Sequence, residues 1–255
     1  MKNQFKLTNI MPRPGGFGLA LAGLMLLTVA ASAAPAQIFP SSSLPYGYSY
    51  EEWSAKFWQW TFGQDTNNAE LVGWSGVCTG PGRSVRFLAG ATGTVNVTNK
   101  ITIDDQTPLF FTVLSTTDDN TACPVTDFTS YTADQLAAAA AANWSAVSST
   151  TCAIDGVAVG GLENPANSEY LVQSPAFSYT TAEQGGALGE IEGVYCVPGG
   201  TTIYPAVADG IYLMLAPFSE GKHTIHYTAA VGPGGAYFTQ DITYDITVRR
   251  DHDGH

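Results

Sequence analysis

Residues Tyr237–Val248 read YFTQDITYDITV. Within them Ile242, Tyr244, Ile246 and Val248 alternate with Asp241, Thr243, Asp245 and Thr247. A period of two describes an extended strand with one apolar and one wet face. Upstream, Lys222–Tyr227 (KHTIHY) is a second strand, Ser219-Glu220-Gly221 a turn, and Gly210–Phe218 (GIYLMLAPF) a third strand. Three successive strands with glycine and proline between them set the fold class of the whole chain.

Earlier segments follow the same pattern. Ser84–Ala89 (SVRFLA) and Thr94–Ile103 (TVNVTNKITI) alternate, while Pro108–Leu114 (PLFFTVL) is apolar enough to be buried on two faces. Asp155-Gly156 is a hairpin turn signal between short strands. Gly76–Gly90 and Gly193–Gly210 each run from a cysteine through Pro-Gly to an alternating strand, a faint echo that turn chemistry alone explains. The expected fold is mainly β, an antiparallel β-sandwich of jelly-roll or Ig-like kind, carrying two helices. One domain over residues 49–248 is the favoured organisation, and a split near Ala146 is the alternative.

The first helix is Tyr50–Gly63, YEEWSAKFWQWTFG. Ser49 and Glu52 have capping-box spacing, Glu52 and Lys56 form an i,i+4 pair, and Gly63 sits where a helix ends. At about 100° per residue, Tyr50, Trp53, Phe57 and Trp60 share one stripe. Trp58 and Phe62 fall off it, so Trp58 is the ring left for either a second packing surface or a ligand, and packing is favoured. The second, Ala-rich helix is Thr132–Ala146, where Thr132 and Gln135 repeat the capping-box spacing.

Lys2, Lys6 and Arg13 precede an apolar run at Phe17–Ala31 and the small residues Ser32-Ala33-Ala34. This is the form of a cleaved secretory signal over residues 1–33, with no membrane span left after cleavage. Residues 34–48 then form an extended leader, and 249–255 a solvated tail. Loss of three basic residues takes the net charge from -12 to about -15. That balance excludes nucleic acid and anionic lipid as charge-driven partners and leaves calcium, cationic surfaces and neutral glycans. Four cysteines, Cys78, Cys123, Cys152 and Cys196, suggest two disulfides in an exported chain. Three pairings are open, and the expected one is Cys123–Cys152 with Cys78–Cys196.

Four segments together carry a resemblance: W-S-x-x-F-W-x-W at Trp53–Trp60, R-F-L-A-G at Arg86–Gly90, P-L-F-F-x-V at Pro108–Val113, and D-G-x-x-L-M-L-A-P-F-x-x-G-K-H-T-I-H at Asp209–His226. The chain resembles a group of uncharacterised exported bacterial proteins over most of its length. The resemblance implies a shared fold and a secreted or periplasmic location. It implies no activity and no catalytic residues.

Catalytic signatures are absent. GWSG at Gly73–Gly76 lacks the spacing of a hydrolase elbow, which leaves Ser75 as a turn residue, and there is no HExxH, P-loop or dinucleotide fingerprint. His223 and His226, three apart on a strand, point to opposite faces, and a hydrogen bond from one of them to Asp209 on the preceding strand is expected to fix the hairpin. His252 and His255 lie in the tail. Glu190 and Glu192 share a face if their segment is a strand, at about 6.5–7 Å along it, a separation used by inverting glycoside hydrolases. Asp118, Asp119 and Asn120, like Asp104 and Asp105, offer oxygen ligands for calcium, the one cofactor considered, with solvated turns as the ordinary reading.

The functional expectation is therefore a secreted or envelope-associated, non-enzymatic protein. It would bind a glycan or protein partner through loops and exposed aromatics, with Trp58 and Tyr46 or Tyr48 as stacking residues. An extracellular carbohydrate-active hydrolase using Glu190 and Glu192 is the alternative, and a purely structural envelope component a third.

Overall fold

The computed structural model describes residues 36–64, 75–79, 83–91, 95–121, 130–182 and 186–250. The expected signal segment and residues 251–255 of the expected tail lie outside the described residues, and Arg249 of that tail ends the last strand. Among the described residues the fold is mainly β, with 45% in strands against 23% in helices.

Strand β1 (Ser75–Thr79), β2 (Ser84–Leu88), β4 (Leu109–Asp119), β9 (Thr202–Leu215) and β7 (Leu171–Gln173) form one sheet in that order, and β8 (Phe177–Thr180) also pairs with β9. The second sheet runs β3 (Val95–Asp104), β11 (Phe238–Arg249), β10 (Gly221–Val231), β5 (Val147–Ile154) and β6 (Val157–Ala158). Both are mixed rather than purely antiparallel, because β2 runs parallel to β4 and β3 runs parallel to β11. The three expected C-terminal strands form, although β9 starts at Thr202 rather than Gly210 and β10 runs on to Val231, and β9 lies in the first sheet and β10 and β11 in the second. Ser75 opens β1 instead of sitting in a turn.

Consecutive residues of β4 show how the layers meet. Phe110 packs on Tyr50, Trp53 and Phe57 of helix α1 (Tyr50–Phe62), whereas Phe111 packs on Tyr227 of β10. Neighbouring strand residues point to opposite faces, so the first sheet carries α1 on one face and the second sheet on the other. This double cover accounts for the apolar runs PLFFTVL and GIYLMLAPF, whose strand residues are buried almost throughout.

Helix α1 starts on the expected capping box: Ser49 Oγ accepts from the Glu52 amide and Glu52 accepts from the Ser49 amide. Its buried side chains include Tyr50, Trp53 and Phe57, and also Trp58 and Phe62. The leader is no loose tether. Phe39 N–H donates to Met214 O, Ala216 N–H donates to Gln37 O, and Tyr50 Oη donates to Phe39 O. Helix α2 (Ala133–Ala142) begins on the Thr132 capping box and ends in a 3-10 turn, Asn143–Ala146, where the sequence predicts continuous helix. Helix α3 (Gly186–Glu192) replaces the strand on which the glutamate pair depended. At Asp155-Gly156 both residues have positive φ, 51° and 76°, as a two-residue hairpin loop requires.

Neither expected disulfide pairing forms. Cys78 and Cys152 are free thiols, and each belonged to one of the two pairs. Cys196 is disulfide-bonded, while Cys123 lies outside the described residues. Cys152 points into the apolar core, where burial pushes its thiol up to about 12.

Candidate functional site

Strand β2 pairs with β4 only at Arg86–Leu88, against Leu109–Phe111. Beyond Leu88 the chain leaves the sheet at Ala89, Gly90 and Ala91, and among the described residues no strand follows β4 further along that edge. The space left beside it is a cavity of about 510 Å³, within the usual range of small-molecule sites. Phe57, Trp58 and Thr61 of α1 form one wall, and Thr112, Leu114, Ser115 and Thr116 of β4 another. The far side comes from Trp144, Val147, Val231, Phe238 and Gln240, with Ile191 of α3 at the margin.

The chemistry of this lining is uniform. No ionisable side chain is present among the described lining residues; the polar groups are hydroxyls, an asparagine and a glutamine. Most are already engaged. Thr61 Oγ1 donates to Phe57 O at 2.8 Å, Thr112 Oγ1 to Ile211 O at 3.2 Å, and Gln240 Nε2 to Val113 O. Trp58 Nε1 donates to Tyr212 Oη at 2.9 Å. Burial pushes the Tyr212 phenol up, against the hydrogen bonds of Ser115 and Trp58, so it stays neutral.

Behind Trp144 lies Asp209, buried in the first sheet. Gln173 Nε2 bridges Asp209 Oδ2 at 3.1 Å and Ala137 O of α2 at 2.8 Å. Burial raises the Asp209 carboxyl, partly offset by Gln173, the Gly210 amide and the neighbouring Trp144 indole. That indole N–H nevertheless makes no well-formed hydrogen bond.

The structure scatters the residues singled out by sequence. Trp58 is 6% exposed, and only its cavity side remains open to a ligand. Tyr46 and Tyr48 are half-buried near the N-terminal end of α1, Tyr46 edge-on to Phe39 and Tyr48 edge-on to Trp53 with Lys56 Nζ 4.2 Å above its ring. They share no contact with Trp58, so no aromatic platform forms. Glu190 and Glu192 fall on α3, a helix and not a strand, and their side chains lie outside the described ones. The strand geometry behind the paired-carboxylate idea is absent.

Asp118, Asp119 and Asn120 are also divided. Asp119 Oδ1 accepts from the amide and hydroxyl of Thr121, and its Oδ2 accepts from Tyr179 Oη. Asn120 is clamped on both main-chain groups of Tyr131. Only Asp118 keeps a spare oxygen, since Oδ2 is buried without a partner. Asp104 ends β3, and the Asp105 amide donates to Arg249 O. No group of three acidic, histidine or cysteine side chains suited to a metal occurs among the described residues.

His223 and His226 do point to opposite faces, but neither meets Asp209, which belongs to the other sheet. His223 is buried and stacked on Phe218. Its Nδ1 lies 2.7 Å from Asp155 Oδ2 and its Nε2 2.9 Å from Ser219 O. His226 Nε2 lies 2.8 Å from Asp241 Oδ1 on the wet face. Both contacts fix strands rather than frame a cleft.

Sequence reasoning missed Trp144, Tyr212 and Gln240. Asp209-Gly210, a polar pair inside an apolar run, is the one local sign of the buried network behind the cavity. No family model, curated protein or solved structure matches this chain.

Proposed function

We propose that this chain is an exported, non-enzymatic binding protein that takes a neutral, largely apolar small molecule into the cavity beside β4. The observation that supports this reading is the lining itself: two indoles and several aliphatic and phenyl groups, with hydroxyls and amides but, among the described lining residues, no charge. A charged ligand would lose its hydration there with no counter-charge to replace it. A neutral one gains apolar contact and keeps its few hydrogen bonds. Export follows from the basic and apolar N-terminal pattern and from the resemblance to exported bacterial proteins. On this reading the two facing sheets act as a β-sandwich whose open end carries the site. The glycan expectation narrows accordingly: a neutral sugar would stack on Trp58 from inside the cavity, not on a surface platform.

Two naphthalene probes of similar size test the proposal. Neutral N-phenyl-1-naphthylamine should bind with enhanced fluorescence, while its sulfonated anionic analogue should bind at least about tenfold more weakly. Leu114→Trp, which fills the space, should abolish uptake of the neutral probe. Equal binding of both probes, or uptake unchanged by Leu114→Trp, rules the cavity out as the site. A panel of neutral sugars competing with the probe decides whether the natural ligand class is carbohydrate.

A further inference from the structure

Strand β3 is an edge of its sheet. It follows β11 without a register break, from Val95 opposite Gln240 to Asp104 opposite Arg249. Among the described residues no strand pairs with its other edge. The strand contains no proline, and its outward residues Asn96, Thr98, Lys100, Thr102 and Asp104 are exposed. Inward-pointing Val95, Val97 and Ile101 are only half covered. A long, flat edge with partly uncovered apolar residues is a pairing surface unless something blunts it, and one lysine is the only charge in its middle.

That lysine has a complement on the same strand. Lys100 and Asp104 lie four apart on the outer face, and neither makes an ion pair among the described residues, although Lys100 sits opposite Asp245. If two copies pair antiparallel about a two-fold axis at Thr102, the overlap is Lys100–Asp104 of each copy, where Lys100 faces the second copy's Asp104 and Asp104 faces the second copy's Lys100. On the inner face, Ile101 then meets the second copy's Ile103 twice. Other registers overlap more of the strand but lose this charge match. Centring on Lys100 sets lysine against lysine, and centring on Asn99 leaves Lys100 opposite threonine. We infer that this chain forms a two-fold dimer through β3, antiparallel about Thr102, which joins the two five-stranded sheets edge to edge. Main-chain hydrogen bonds supply the attraction, and the Lys100–Asp104 crossings select the register.

Sedimentation equilibrium on the purified full chain tests this. The wild type should dimerise. Lys100→Asp and Asp104→Lys alone should each weaken the dimer about tenfold, because each substitution creates two like-charge crossings. The double variant, with the charges exchanged, should restore the dimer to within about threefold of wild type. Thr102→Lys is a second probe at the axis and should also weaken the dimer. A monomeric wild type overturns the inference. So does a dimer indifferent to these substitutions, or a double variant that stays as weak as its parents. Unchanged thermal melting of the four variants separates loss of pairing from loss of fold.

Discussion

The two halves of β4 share one ladder with β9 and differ in what covers them. Leu109–Val113 is buried throughout, with α1 on one face, β10 on the other and β2 along the edge. Leu114–Asp119 is half-buried at every position, because β2 has ended and the cavity lies alongside. Polar groups follow the same division. Around the first half, Trp53 Nε1 donates to Pro45 O, and Tyr50 Oη both donates to Phe39 O and accepts from the Met214 amide. Beside the second half, Trp144 Nε1 makes no well-formed hydrogen bond and Asp118 Oδ2 lacks a partner. A closed, densely packed region holds the fold, and an incompletely filled one is free to hold something else.

The sharpest way to break this comparison is Phe110→Ala. Phe110 is fully buried and stacks on Tyr212 with ring centroids 5.4 Å apart. Its truncation should cost about 4 kcal/mol in urea unfolding. A loss under about 1 kcal/mol would mean that the first half is not the close-packed region described. Tyr50→Phe should cost about 2 kcal/mol, since it strands the buried Met214 amide that now donates to the phenol oxygen. Leu114→Ala should cost only about 1 kcal/mol, because that side chain already borders empty space. If Leu114→Ala proves as costly as Phe110→Ala, the two halves are equivalent and the cavity is not open.

The first half was far more legible in the sequence than the second. Capping boxes at Ser49 and Thr132 fix helix starts locally, and the spacing of Tyr50, Trp53 and Phe57 announces their burial. Trp58 and Phe62, off that stripe, are buried too, and Trp60 on it is only half-buried. Alternation in β11 does the same for a strand. Parallel pairing has no such local sign: β2 beside β4 and β3 beside β11 depend on which segments meet, not on their own pattern. Helix α3 is seven residues long, too short for a 3.6-residue period to show against the two-residue spacing of its glutamates. The cavity is harder still. Its walls come from α1, β4, β10, β11 and the turn after α2, and a void among them is a property of their packing. The disulfide pairing failed for a related reason, since Cys152 alternates with the polar face of β5 and points inward, a direction that chain spacing between cysteines does not encode.

Asp118→Asn gives the smallest effect, and its sign is opposite to the others. Burial, then the neighbouring Asp119 carboxylate, pushes Asp118 up from 3.8 to about 6. The folded chain therefore keeps this proton over a pH range in which the unfolded chain has released it. Stability from this group falls as pH rises from near 4 to near 6, and the full penalty is present above that window. Asp118 is only half-buried, so solvent screening limits the penalty to about 1 kcal/mol. The variant should match wild type below pH 4 and exceed it by about that amount at pH 7, read from urea midpoints across the range. An equal gain at every pH would assign the effect to the unpartnered Oδ2 rather than to charge. No gain at pH 7 would show that the second half of β4 is as well satisfied as the first, and the contrast between them would then rest on packing alone.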